Sequence, residues 1–144
     1  MPSGRSNLEN LARAKQLNAE APAKQEIDSL LARAESQLRD ASSAGLSPES
    51  RFSLAYNATH SLALAALRMA GYRPSSAGHR RILFQTLDST ADAPAKLCAA
   101  LAQHHDRRNR IEYEGAPVSA LEAGDLVKLA SELQALVLKR RKRP

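Results

Sequence analysis

Residues 104–115, HHDRRNRIEYEG, gather two histidines, three arginines, an asparagine and a tyrosine within a few turns of what reads as a helix. On a helix of 100° per residue, Leu101, His104, Arg108 and Ile111 fall within roughly 40° of Leu97. Arg108 therefore points where the leucines point. An unpartnered buried guanidinium is too costly to persist, so Arg108 must meet a carboxylate of another helix, backbone carbonyls, a cleft open to solvent, or a second subunit. The first is a structural ion pair, whereas the cleft or the subunit seam would make an anion site. His104 lies one turn before Arg108 on the same face and is the histidine with a geometric claim to acid–base work, its ordinary pKa being near 6.5. His105 lies further round, nearer the edge of that face. His60 and His79 belong to other segments and read as structural or exposed.

The elements that must position this segment are helical. Leu8, Leu11 and Leu17 form a short, weakly amphipathic stretch that Pro22 ends or bends. Ile27, Leu30, Leu31, Ala34, Leu38 and Ala41 then recur at three- and four-residue spacing, which predicts a helix over about 23–42 with Gly45 as a left-handed cap. Ser47-Pro48 supplies an N-cap followed by proline at the first helical position, so a new helix starts there and runs to about Ala70. Its stripe of Phe52, Ala55, Tyr56, Thr59, Leu62, Ala63, Ala66 and Ala70 admits close neighbours and marks the centre of the molecule. Gly71 to Ser76 reads as a turn, and a shorter helix follows over about 76–87 with Ile82, Leu83 and Leu87 inward. After a polar break at Asp88 to Asp92, Pro94 restarts the helix that carries Arg108. A last helix begins at Ser119, whose spacing to Glu122 fits a capping box, and buries Leu126, Leu129, Leu133 and Leu136 or Val137.

A chain of 144 residues suffices for one core, and its richness in Ala and Leu with few aromatics favours helices throughout. The expected fold is all-α: an antiparallel bundle of four long helices with one or two short ones. Residues 1–22 are expected to form a short helix or arm, 23–138 the bundle, and 139–144 a basic tail. Lys139, Arg140, Arg141, Lys142 and Arg143 carry five of the six net positive charges, so the body is nearly neutral. Such a run is either solvated or a phosphate-binding tail that adds salt-sensitive affinity for nucleic acid. The single Cys98 excludes an intrachain disulfide and reads as a small buried apolar residue, and no Cys/His cluster has zinc spacing. No metal or cofactor is expected. No segment has the uninterrupted apolar length of a membrane span, so no membrane association and a cytoplasmic location are expected.

Three stretches carry a family resemblance: Tyr56-Asn57-Ala58-Thr59-His60 with the alanines and leucines after it, Gly71-Tyr72-Arg73-Pro74, and Arg107 to Tyr113. Over about residues 25–138 the chain resembles the HEPN superfamily, the higher eukaryotes and prokaryotes nucleotide-binding domains. That resemblance implies a helical bundle, commonly dimeric, and in many members a metal-independent ribonuclease of bacterial toxin–antitoxin or defence systems. Its signature is an arginine, a polar residue that is often asparagine, and a histidine shortly after. Arg108 and Asn109 match the first half. The second half departs, because Tyr113 stands where the histidine would be and no histidine follows the segment at all.

Cleaving RNA without a metal needs a base for the 2′-hydroxyl, a cation for the phosphorane and an acid for the leaving oxygen. Tyrosine, with a pKa near 10, is a poor substitute for histidine at neutral pH. Tyr113 reads more simply as a ring packed on the end of the bundle. The resemblance thus implies Arg108 and Asn109, with Tyr113 and His104 as the remaining catalytic candidates. Arg107, Arg108 and the basic residues 139–143 would bind nucleic acid. The expected function is binding of RNA or nucleotide phosphate at an Arg-Asn cleft by a homodimer, with endoribonuclease activity degenerate. The alternative is a non-catalytic dimerising module partnered with an antitoxin or a nucleotidyltransferase.

Overall fold

The computed structural model describes residues 4–75 and 81–142, the side chains from residue 6 onward. Its elements are α1 (Gly4–Arg13), β1 (Leu17–Ala19), α2 (Lys24–Ala41), α3 (Pro48–Met69), β2 (Tyr72–Pro74), α4 (Arg81–Gln85), α5 (Leu87–Thr90), α6 (Ala95–Glu114) and α7 (Ala120–Arg141). The fold is a helical bundle with one small two-stranded sheet.

Helix α3 is buried on nearly every side, from Phe52 through Tyr56, Leu62 and Ala66 to Arg68, and its chief neighbours are α2 and α7. Alanines at 55, 58, 63, 65 and 66 let those helices approach closely. Contacts at both ends give the directions. The start of α3 meets the end of α2, where Arg51 Nε donates to Ala41 O (2.9 Å), and the end of α3 meets the start of α2, where Arg68 Nε donates to Glu26 (2.7 Å). These two helices are antiparallel. Helix α7 instead ends beside the end of α3, where Arg140 and Arg141 share a cavity wall with Ala66 and Met69, so α3 and α7 run in the same direction.

Helix starts follow local chemistry. The Ser47 hydroxyl accepts from Ser50 N–H ahead of Pro48, and the Ser119 hydroxyl accepts from Glu122 N–H (3.0 Å). Helix α6 starts after Pro94 with no side-chain cap and ends at Gly115, whose φ of 68° is left-handed.

Several sequence expectations are corrected. The first helix ends at Arg13, well before Pro22, because Lys15 turns to a positive φ of 63° and sends the chain into β1. Leu17, Asn18 and Ala19 pair antiparallel with Pro74, Arg73 and Tyr72, so the stretch after Gly71 is a strand as well as a turn. Gly45 does not take a left-handed conformation. Helix α2 closes instead through Ser42, whose N–H and hydroxyl both donate to Leu38 O. The helix expected over 76–87 is divided at Thr86, and Asp88, assigned to a polar break, lies inside α5. Residues 76–80, and His79 with them, lie outside the described residues.

Candidate functional site

The buried residues of α6 are Leu97, Leu101, Ala102 and His105. At 100° per residue this set centres roughly 65° round from Leu97, toward His105. The rotation brings His105 into the core and leaves His104 and Arg108 at its margin, which corrects the placing of His105 at the edge. Leu97, Leu101 and His105 follow one another at intervals of four. That spacing was the available signal.

His105 Nδ1 is hydrogen-bonded to Tyr56 Oη (2.9 Å), and the two rings stack with centroids 6.0 Å apart. Phe84 closes the cluster, 6.2 Å from Tyr56 and 5.7 Å from His105. The Arg108 guanidinium carbon stands 5.0 Å from the centre of the Tyr56 ring, a cation–π contact. Its one ionic partner among the described residues is Glu112 on the same helix, at 3.2 Å, and that carboxylate is half exposed. Arg108 itself is 21% exposed and donates no hydrogen bond to a described residue. Its donors therefore remain open to an incoming acceptor. Asn109 beside it is half-buried, and its amide is likewise unengaged by the described residues.

His104 packs half-buried against Phe52, ring centroids 5.9 Å apart, with Nδ1 enclosed and without a partner. Burial pushes its pKa below the ordinary histidine value, and Glu122 and Asp125 offset part of that shift. A histidine so placed is neutral at neutral pH. Tyr113 is 82% exposed. It does not pack on the end of the bundle, because the last turn of α6 carries it out past the neighbouring helices.

Arg107 is committed within the fold. Its Nε donates to Glu122 (2.7 Å) and its Nη2 to Pro117 O (2.6 Å), which clamps the loop between α6 and α7, and Glu122 holds the guanidinium pKa above its usual value. The basic run does not behave as a free tail through residue 141. Lys139, Arg140 and Arg141 form the last turn of α7, Arg140 pairs with Asp92 (3.2 Å) and Arg141 with Asp28 (2.5 Å). Lys142 caps the helix exposed, and Arg143 lies outside the described residues. These charges sit by the end of α3, roughly 20 Å along that helix from Tyr56 at 1.5 Å per residue.

Comparison of the chain with protein-family models, with curated proteins and with solved structures finds no significant match.

The buried arginine tied to acids of another segment is Arg68, which the sequence reading passed over. Only 1% exposed, it donates to Glu26 (2.7 Å) and to the carbonyls of Glu20 (3.0 Å), Ala21 (2.8 Å) and Tyr72 (3.2 Å). Arg73 joins Glu20 and Glu26 from the strand (2.9 and 2.6 Å), and both carboxyls are held below their usual range by these arginines. Cys98 is half-buried with its thiol pKa pushed up by burial, as suits a packing residue. No three described His, Cys, Asp or Glu side chains converge as metal ligands, and no described helix is long and apolar enough to cross a membrane.

Proposed function

We propose that this chain is a HEPN-like protein of bacterial toxin–antitoxin or defence type that binds RNA or nucleotide phosphate through Arg108 and Asn109. In this reading it is a lapsed relative of metal-independent endoribonucleases. One observation carries the proposal. Arg108 is held in place by the Tyr56 ring while its N–H groups make no hydrogen bond to a described residue. A guanidinium preorganised in this way gives a phosphate two parallel charge-assisted hydrogen bonds at little further ordering cost, and only the half-exposed Glu112 has to move aside. Asn109 supplies a neighbouring donor and acceptor for the sugar.

The acid–base half of the chemistry is weak. Tyr113 stands out in solvent, His104 is neutral and enclosed, and His105 is held against Tyr56 in the core. Binding without efficient cleavage follows.

The second reading, a dimerising module for an antitoxin or nucleotidyltransferase, draws on Tyr113 and Leu121. Both are large, apolar and exposed on either side of the α6–α7 loop. A homodimer closing over this patch would bring two Arg108 helices near one seam.

End-labelled RNA incubated with the protein in EDTA, followed by a binding titration, tests the proposal. Wild type is expected to bind and not to cut, with Arg108→Ala weakening binding about tenfold or more, the worth of a bidentate charged contact. Replacing the exposed Lys139 and Lys142 by alanine is expected to flatten the salt dependence. Cleavage lost in Arg108→Ala and in His104→Ala would instead make the protein an active nuclease. RNA binding that is absent, or indifferent to Arg108→Ala, would leave the protein-interaction reading.

A further inference from the structure

The last turn of α6 carries two acids, Glu112 and Glu114, and no basic residue. A helix gathers partial negative charge at its C-terminal end, so carboxylates placed there are repelled. Each answers an arginine one turn earlier, Glu112 with Arg108 (3.2 Å) and Glu114 with Arg110 (3.4 Å). The order is the less favourable one, because an acid four residues before a base supports a helix better than an acid four residues after it. The helix gains little stability from either pair.

The contact of Arg108 also differs from those of the arginines around it. Arg107 donates to Glu122 (2.7 Å) and fastens α6 to α7, and Arg81 donates to Asp106 (2.7 Å) and fastens α4 to α6. Arg108 and Glu112 belong to one helix and join no two elements. Their contact is ionic only, since Arg108 donates no hydrogen bond to a described residue. Arg110 is 67% exposed, whereas Arg108 is turned against the Tyr56 ring, so of the two carboxylates Glu112 is the less screened by solvent. Being half exposed, it can swing into water without disturbing the packing.

We infer that Glu112 is an autoinhibitory carboxylate, tethered where it competes with an incoming phosphate for Arg108. The inference rests on the binding role proposed for Arg108 and assigns that site its regulation. While Glu112 is in place the guanidinium is partly neutralised, and a ligand meets both that attraction and the repulsion of the carboxylate itself. A phosphate prevails because two of its oxygens accept from the guanidinium in parallel, and Glu112 makes no such bonds. Removing the charge of Glu112 opens the site.

Fluorescence anisotropy of a labelled single-stranded RNA, titrated with the full chain at low salt, tests the inference. Glu112→Gln keeps the length of the side chain and removes its charge, so it is expected to tighten binding about fivefold, the upper worth of an exposed ion pair. Glu114→Gln removes the same charge beside the exposed Arg110 and is expected to change binding by less than about twofold. In the Arg108→Ala background the gain from Glu112→Gln is expected to vanish. Glu112→Gln is also expected to melt no earlier than wild type, because a charge leaves the negative end of the helix. Binding that Arg108→Ala lowers but Glu112→Gln leaves unchanged or weaker would overturn the inference alone. Equal gains in Glu112→Gln and Glu114→Gln would overturn it by making the effect one of net charge, and an earlier melt in Glu112→Gln by making the pair structural. RNA binding that is absent, or indifferent to Arg108→Ala, would remove the binding role of Arg108 and the inference with it.

Discussion

Arg68 and Arg108 both lie on inward-turned parts of helices, and what surrounds each guanidinium sets its role. Arg68 meets two carboxylates and three carbonyls, so it ties α2, α3 and β2 together and has no capacity left for a ligand. Its replacement by methionine leaves the carbonyls of Glu20, Ala21 and Tyr72 without the guanidinium and Glu26 with Arg73 alone, and a loss of about 3 kcal/mol in urea unfolding is expected. Glu26 is held below its usual pKa by Arg68 and Arg73, so its contribution is complete above about pH 4.5 and is lost as the pH falls through the lower folded value. His104 has the opposite charge type. Because burial lowers its pKa, the unfolded chain takes up the proton first as the solution is acidified. Stability is therefore complete above about pH 6.5 and declines below it. Urea midpoints at pH 7.5 and 5.5 should show a larger acid loss in wild type than in His104→Leu, and equal losses would contradict the assignment.

At the scale of elements, the α6–α7 hairpin shows how local signals and distant partners share the work. Ser119 caps α7 as its sequence spacing predicts, but Glu122 does not complete a capping box, because its carboxylate is taken by Arg107 across the loop. The cap is worth about 1 kcal/mol, measurable as a lower melting temperature in Ser119→Ala. Gly115 needs its left-handed φ of 68°, and Gly115→Ala is expected to cost about 1–2 kcal/mol although a methyl group there meets no neighbour. Local signals of this kind, with Ser47-Pro48 and the α2 stripe, made the helix starts legible in advance. The paired strands were not legible. Each is three residues long and exists because the other lies beside it, with Arg73 binding back to Glu20 and Glu26.

For the whole molecule, α3 is the axis on which two separate regions are arranged. Tyr56 in its first half carries Arg108 and His105, while Ala66 and Met69 in its last turns wall the cavity under Arg140 and Arg141. Tyr113 and Leu121 are both exposed, at the end of α6 and the start of α7. If the proposed homodimer closes there, Tyr113→Glu with Leu121→Glu should yield a monomer in sedimentation velocity while the wild type sediments as a dimer. Wild type that sediments as a monomer would place the seam of the proposal in error.

The sequence by itself determined the helical class, the boundaries of α2, α3 and α7 to within a few residues, and the central place of α3. Those properties rest on short-range chemistry: apolar spacing, a proline at a first turn and serine caps. Only the tertiary structure decided the rotation of α6, and with it which histidine enters the core. A helix bearing Leu97, Leu101, His104 and Arg108 on one side and Ala102 and His105 on another can be turned either way until Tyr56 and Phe84 arrive as partners. The same holds for the arginines. A guanidinium is structural or open to a ligand according to the acceptors that other segments bring within 3 Å or so. Those segments lie far from it in the chain.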